Sequence, residues 1–410
     1  MYLRGSKWNM LRRRRRHSNP WRILGLLVLI AGAIYINQVV VPVTPPLFIP
    51  TPTPTRSPES FINEAEALYA DGKLSQAISA YEQAILSDPK NPGNYVNLAR
   101  IQILAGRYED ALENAELALI QNPDNPLAHA MRAWALDFLD DYLAAEAAIK
   151  RALELDSNSA IAHAVYAEIL VDTGDFEGAA EQSRIAVNLG PEIMEVHRAR
   201  GYVLYWTGNY ELAIEEFEKA ININDKIPNL HLLKGYSYYT MGDYDLAVQS
   251  FNQANALNPS DPTPDFEASR AYFATGEFAR AVQYAEQAVA DDPTNARLQA
   301  NLGVMYAKNN QRAEALEVLG LAVHGGTTIN GQIVSGIPLS YDLYVIELYS
   351  TYGLTLAREN RCNEAVPIFQ AMLSVVPDSD LATYNATVGL ETCQESLETV
   401  TPEAEETQAP

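Results

Sequence analysis

Four histidines recur at a fixed spacing of 34 residues and form the most regular set of potential metal ligands in the sequence: His129, His163, His197 and His231. Imidazole nitrogens bind zinc at about 2 Å, and imidazole also changes charge near neutral pH, so either a metal site or a pH sensor is conceivable. If the histidines lie on equivalent neighbouring helices, they stand about 8–10 Å apart, which is too far to share one ion. We therefore expect each imidazole to pack between helices with one nitrogen hydrogen-bonded.

No arrangement of residues typical of catalysis is found in the sequence. There is no catalytic triad pattern, P-loop or His-Glu-x-x-His motif. Pairs of carboxylates are common, but 52 acidic residues against 29 basic ones make such pairs uninformative. We predict that the protein is not an enzyme and that it holds no metal and no cofactor.

The spacing of small residues predicts the elements that carry these side chains. Alanine recurs every 34 residues at 77, 111, 145, 179, 213, 247, 281 and 315, and again seven residues later at 84, 118, 152, 186, 220, 254, 288 and 322. Residues seven apart share one face of a helix, where small side chains let a second helix approach. Five residues before the first column stands Gly, or Asp140 and Asn310 in two units, which predicts a helix cap and a tight turn. Proline closes many units.

This period and this order of small, aromatic and proline residues resemble the tetratricopeptide repeat (TPR) family. The unit that fits best contains Gly235, Tyr238, Ala247, Phe251, Ala254 and Pro259. In the family's frame, units begin near residues 58, 92, 126, 160, 194, 228, 262 and 296, and a ninth begins near 346. The resemblance implies an all-α, right-handed TPR superhelical solenoid of about nine helix-turn-helix repeats plus a capping helix.

The resemblance also implies a binding groove, because inner positions of each first helix line the concave face in this family. Carried over to this sequence, those positions hold a group of aromatic residues: Trp134, Phe138, Tyr202, Tyr205, Trp206, Tyr236, Tyr239, Phe266 and Phe273. Exposed aromatic clusters are typical of contact surfaces for protein segments. The alternative is that these rings pack between the units or against one another.

The two cysteines of the chain, Cys362 and Cys393, fall in the ninth unit and in the capping helix that follows it. In the repeat frame these two regions stack side by side, so we predict a disulfide that joins the cap to the last unit. The alternative is two buried, unpaired thiols.

An insertion separates the eighth unit from the ninth. Ala315 and Ala365 lie sixteen residues further apart than one period, and Gly-Gly, Asn-Gly and Ser-Gly pairs within 323–345 are turn signals around a short β-like run. We predict a hairpin-like loop. It is either part of the binding face, where insertions in repeat arrays are often found, or a solvated linker.

The N-terminal region predicts a membrane anchor. Residues 1–22 carry eight basic residues and no acidic residue, and residues 23–41 are almost wholly apolar. Nineteen helical residues span the ~30 Å hydrocarbon core, and the flanking charges predict a single-pass signal-anchor helix with a cytoplasmic N-terminus and an extracytoplasmic repeat domain at the cell membrane. A cleaved signal peptide is the alternative.

The remaining segments complete the predicted organisation. A Pro/Thr-rich stalk covers 42–57, TPR units 1 to 8 cover 58–329, the ninth unit and cap cover 346–394, and an acidic disordered tail covers 395–410. The net charge of −23 argues against nucleic acid as a partner.

These features predict a membrane-anchored scaffold for protein–protein interaction that binds a protein or peptide segment in the concave groove. The alternative function is a carrier or binding module for polysaccharide or lipid-linked sugar, in which the same aromatic residues stack on sugar rings.

Overall fold

The structure is a computed structural model that describes residues 19–35, 38 and 56–400, with side chains given up to residue 395. The chain divides into residues 1–55 and residues 56–410, and each part is described by itself. The basic segment 1–18, most of the stalk and residues 401–410 lie outside the described residues.

The N-terminal part contains the helix α1 (Pro20–Tyr35), which has 16 residues, all of them exposed. Within the residues that the structure describes, no helix is both long enough and apolar enough to cross a membrane. Residues 36, 37 and 39–41 of the predicted membrane span lie outside those residues.

Residues 56–400 form a stack of helix pairs, in which we call consecutive pairs units 1 to 9. The first four units are α2 (Pro58–Ala70) with α3 (Leu74–Ser87), α4 (Pro92–Leu104) with α5 (Tyr108–Gln121), α6 (Pro126–Phe138) with α7 (Tyr142–Leu155), and α8 (Ala160–Asp172) with α9 (Phe176–Leu189). The next four are α10 (Met194–Trp206) with α11 (Tyr210–Ile223), α12 (Pro228–Met241) with α13 (Tyr244–Leu257), α14 (Thr263–Ala274) with α15 (Phe278–Asp291), and α16 (Ala296–Lys308) with α17 (Arg312–His324). The predicted all-helical solenoid is confirmed.

The turn inside each pair depends on a residue with positive φ. Six glycines hold this position, among them Gly242 at φ 85°, and Asp140, Asn310 and Asn360 hold it in the other three units with φ between 57° and 64°. Glycine adopts this conformation without a steric penalty from Cβ, and Asn and Asp are the side chains that tolerate it best. The glycine column therefore sets where the first helix of a pair ends.

The alanine columns form the contact between helices. All sixteen alanines are at most 1% exposed. Where the first helix of a pair carries glycine, the second carries a large side chain in front of it: Gly201 faces Phe217, Gly235 faces Phe251, Gly303 faces Leu319 and Gly353 faces Phe369. The two helices of a pair therefore come close where a small residue on one faces a large residue on the other, and not only where both carry alanine.

The insertion forms a two-stranded antiparallel hairpin of β1 (Gly326–Thr327) and β2 (Ile333–Val334). The Ile337 amide donates to the Ala322 carbonyl at 2.8 Å, and the Tyr349 hydroxyl donates to the Ile337 carbonyl at 2.9 Å. The base of the insertion is packed on the array, because Val334 is buried and Ile337 and Leu339 contact the core, while Ile329 and Ile333 of the hairpin are exposed.

Unit 9 consists of α18 (Leu343–Arg358) and α19 (Cys362–Val375), and the capping helix is α20 (Asp380–Val400). The first helix begins three residues before the predicted position, because the Asp342 side chain accepts the Tyr344 amide at 2.9 Å. The prediction of disorder from residue 395 needs correction for 395–400, which are helical. No proline interrupts this helix before Pro402.

A disulfide joins Cys362 at the start of α19 to Cys393 in α20, with 5.4 Å between the two Cα atoms. The two helices pack side by side through Phe369, Ala386 and Cys393. The bond therefore ties the capping helix to the last unit.

We predict that Gly235→Ala destabilises the array. A Cβ at this position would lie 2.5 Å from a Phe251 ring carbon. Overpacking costs about 1–3 kcal/mol and outweighs the roughly 1 kcal/mol gain in helix propensity. The thermal unfolding midpoint, followed by circular dichroism, should fall, and the second substitution Phe251→Leu should recover part of the loss. A higher midpoint for Gly235→Ala alone would contradict this packing.

We also predict that the disulfide stabilises the capping helix locally. A cross-link over a loop of this size is worth about 3–4 kcal/mol, so Cys393→Ser should raise hydrogen exchange of α20 amides by about 100- to 1,000-fold. Amides of α2 and α3 should keep their protection, because repeat units interact mainly with their neighbours. Maleimide labelling of the unreduced protein would show that the bond is not formed in solution.

Candidate functional site

The candidate site is the inner face of the array, which is built by the first helix of each unit. The nine aromatic residues predicted for a groove all lie on these helices, α6, α10, α12 and α14. They differ widely in exposure. Trp134 and Phe266 are buried, Trp206 is exposed, and the other six are partly buried.

Trp134 belongs to the core, which corrects its prediction as an exposed groove residue. It is 1% exposed, and its indole Nε1 donates to Oε2 of Glu168 at 2.9 Å. Arg198 donates to the other oxygen of Glu168 at 2.5 Å and lies over the indole ring at 5.1 Å. Burial raises the pKa of Glu168, and the Arg198 charge opposes that rise. The three side chains link units 3, 4 and 5.

Contacts between distant units close the inner face of the N-terminal half. Arg100 of α4 forms an ion pair with Glu195 of α10 at 2.5 Å. Gly72, after α2, lies directly against Lys226, before α12. One apolar core includes side chains from units 1 and 6: Tyr69, Leu74, Ile227 and Leu230. Units 1 and 2 therefore pack against units 5 and 6 across the superhelix.

A partly open cavity of about 390 Å³ lies among these units, lined by residues of units 1 to 3 and 5 to 7. Phe138 borders it and stacks on Tyr108 with 4.4 Å between ring centroids. The Arg198 guanidinium lies 5.7 Å from the same Phe138 ring. Phe138 therefore lines a cavity whose rim includes exposed residues such as Lys73 and Gln76, and its ring is packed against Tyr108.

Four of the predicted groove residues lie in units 6 and 7 and contact other side chains of the array. Arg270 lies over Tyr239 at 5.3 Å and over Phe266 at 5.8 Å. Lys308 lies 5.8 Å from the centre of the Phe273 ring. Tyr236 meets Phe251 edge to face at 5.8 Å. Cations of the chain thus cover several of these rings.

Among the nine predicted groove residues, the most accessible group is at the end of α10. Trp206 is 53% exposed, and its ring lies edge to face with Tyr202 at 6.2 Å and with Tyr205 at 5.7 Å. The Tyr205 hydroxyl is 3.3 Å from the Thr240 hydroxyl in unit 6. Of the nine predicted residues, the structure brings Tyr202, Tyr205 and Trp206 together as one accessible surface.

Carboxylates beside this surface are functional candidates that the sequence reasoning missed. The Tyr202 hydroxyl donates to Asp172 at 2.7 Å, and Asp172 is hydrogen-bonded to Asp137. Burial, followed by the charges of Asp172 and Glu168, raises the pKa of Asp137 to about 8. The sequence contains a signal for this pair. Asp137 and Asp172 lie 35 residues apart, one period plus one residue, which places them near each other on adjacent first helices.

The four periodic histidines are structural. In each, Nε2 is within 2.7–3.1 Å of the backbone carbonyl six residues earlier, in the turn between units. In three of them Nδ1 also meets a side chain of the second helix, as in His197 with Glu216 at 2.6 Å. That contact raises the pKa of His197. Within the described part of the chain, no group of three or more His, Cys, Asp or Glu residues is placed to hold a metal ion.

Known structures include helical arrays with a similar path. The APC/C hetero-tetramer Cut9–Hcn1 matches with a TM-score of 0.54 at 12% identity, over 90% of this chain and 82% of that chain. The human IFIT1 dimer with PPP-AAAA matches with a TM-score of 0.48 at 18% identity, over 64% of this chain and 71% of that chain. YrrB, a TPR protein with an unusual peptide-binding site, matches with a TM-score of 0.33 at 21% identity, over 44% of this chain and 92% of that chain. The first match supports the fold alone. No curated protein matches the chain.

Family models cover most of the array. Two models described as tetratricopeptide repeat match residues 68–135 with 272–324 and residues 130–187. A TPR repeat model matches 201–242, and a further tetratricopeptide repeat model matches 228–261. These segments contain the glycine caps, the alanine columns and the inner helices described above. The repeat array of this chain therefore belongs to the tetratricopeptide-repeat family.

Proposed function

We propose that this chain is an interaction scaffold that binds a segment of another protein on the inner face of its array, at Tyr202, Tyr205 and Trp206. The observation that carries the proposal is the half-exposed Trp206 ring between two tyrosines. Trp and Tyr bury a large apolar area with little loss of side-chain entropy, and they are enriched where binding energy concentrates. TPR arrays are typically scaffolds without catalytic activity, which agrees with this assignment.

The closed interior of units 1 to 6 limits where such a segment would lie. Trp134 and Phe138 are engaged with Glu168, Arg198 and Tyr108. A partner therefore meets the array from the side on which the first helices end, where Trp206 is accessible.

We further propose that the array is held at the cell membrane by residues 23–41 and lies on the extracytoplasmic side. The support is the apolar sequence of this segment after a run of arginines. The disulfide between Cys362 and Cys393 agrees with an oxidising compartment.

Photo-crosslinking in native cells tests the partner site. With p-benzoylphenylalanine in place of Tyr205, we expect one dominant adduct with another protein, and Trp206→Ala should lower its yield by about tenfold because hot-spot residues dominate affinity. The matched control is the same photo-reactive residue at Glu215, which is exposed on the second helix of the same unit. Equal adducts from both positions, or only crosslinks within the chain, would contradict the proposal. Loss of glycan-array retention in Trp206→Ala, with no protein adduct, would favour sugar binding instead.

Protease accessibility tests the membrane proposal. Protease added outside intact spheroplasts should digest the repeat array, because the predicted orientation places everything after residue 41 outside. A cytoplasmic protein measured in the same sample controls for lysis. Protection of the array until lysis would contradict the orientation, and recovery of the array in the soluble fraction would contradict the anchor.

A further inference from the structure

An acidic group adjoins the accessible aromatic surface and lacks a basic partner. We call Asp137, Asp172, Tyr202 and Trp206 the acid–aromatic patch. Asp137 is 4% exposed and shares a hydrogen bond with Asp172, but its Oδ1 atom receives no N–H or O–H hydrogen bond among the described residues. A buried carboxylate oxygen that accepts no hydrogen bond is destabilising. Such an atom in a folded protein calls for an explanation, and an absent ligand is one.

The surroundings of Asp137 supply carboxylates but no free cation. Asp172 accepts the Tyr202 hydroxyl at 2.7 Å, and nearby Asp140 accepts the Tyr142 hydroxyl at 2.7 Å. Arg198 is the nearest cation in the structure, but it is paired with Glu168. Among the described residues, no ion pair involves Asp137, Asp140 or Asp172.

The aromatic half of the patch is suited to a cation as well. Tyr202 and Tyr205 meet the Trp206 ring at 73° and 85° to its plane, and the residue remains 53% exposed. Elsewhere on the inner face, rings of this kind carry a guanidinium of the chain itself, as Arg198 does over Trp134 and Arg270 over Tyr239. At the patch, no guanidinium among the described residues lies over the exposed Trp206 ring beside Asp137 and Asp172.

We propose that the acid–aromatic patch binds a lysine or arginine side chain of the partner segment, with the cation between the two carboxylates and the Trp206 ring. This inference rests on the proposed function and names the chemistry of its partner. A cation over a Trp ring and hydrogen bonds between a cation and a carboxylate each strengthen binding. The net charge of −23 also favours the approach of a basic segment.

Binding of a cation at the patch is coupled to the release of a proton from Asp137. Asp137 is faced by Glu168 and Asp172 from α8, by Arg198 from α10 and by Tyr142, and Asp172 is in turn faced by Tyr202 and Asp140. The pKa of Asp137, about 8, means that it carries a proton at neutral pH. A bound cation favours the ionised form, so binding releases that proton and tightens as the pH rises toward 8.

The test uses purified full-length protein and an N-acetylated hexalysine peptide, measured by calorimetry. Asp172→Asn and Trp206→Ala should each weaken binding by about tenfold. Asp172 is exposed, so its substitution leaves the core intact, which a melting curve verifies. The matched control is Glu215→Gln, which removes the same charge from an exposed position on α11 and should change affinity by less than about twofold. Equal weakening by Glu215→Gln would overturn the proposal in favour of a diffuse acidic surface.

Three further binding measurements, with an acetylated peptide, at different pH values and with spermidine, distinguish the proposal from its alternatives. The hexa-acetyl-lysine peptide should not bind, because acetylation removes the charge. Affinity should rise by up to about tenfold from about pH 7 to pH 8, and this rise should vanish in Asp137→Asn. Binding of spermidine as tight as that of the peptide would overturn the assignment to a protein segment. A dominant photo-adduct from position 205 together with no hexalysine binding would overturn this inference alone and leave the proposed function standing.

Discussion

Buried charge on the inner face is the constraint on which the rest of this structure depends. Glu168 and Arg198 are both almost fully buried, and Glu195 is buried against Arg100. Removing an ion from water costs several kcal/mol, and only close, hydrogen-bonded pairing offsets that cost. Each pair joins different units, one linking α8 to α10 and the other linking α4 to α10. Pairing therefore holds units 2, 4 and 5 in one arrangement, because separating them would leave a buried charge alone.

This pairing divides the inner face into a closed part and an accessible part. The closed part contains Trp134, which donates to Glu168, and the cavity that Phe138 borders. The accessible part begins where α10 ends, with Trp206 and the neighbouring Asp172. The same helix thus carries Arg198 toward the core and Trp206 toward a partner. A rigid closed core would present the acid–aromatic patch in a fixed geometry, which lowers the entropy lost on binding.

Much of the fold followed from the sequence, because local packing repeats with the period. The alanine columns are buried as their spacing predicts, and Gly or Asn residues end the first helices. The exposure of inner-face rings was less predictable. Phe138 and Trp206 stand two periods apart at the same position of their units, yet Phe138 is partly buried and Trp206 is exposed, because contacts across the superhelix, such as Arg100 with Glu195, have no period. Asp137 was missed because carboxylates are abundant in this chain and its burial depends on three units at once.

A double-mutant cycle on Arg100 and Glu195 tests the closed arrangement most directly, because these residues are 95 positions apart and touch only if unit 2 packs against unit 5. Denaturant unfolding of Arg100→Met, Glu195→Gln and the double variant gives their coupling energy. We expect a coupling energy of about 1.5–3 kcal/mol, as for hydrogen bonds to charged groups. A coupling within about 0.5 kcal/mol of zero, as for residues that do not interact, would mean that the first turn of the superhelix is open in solution.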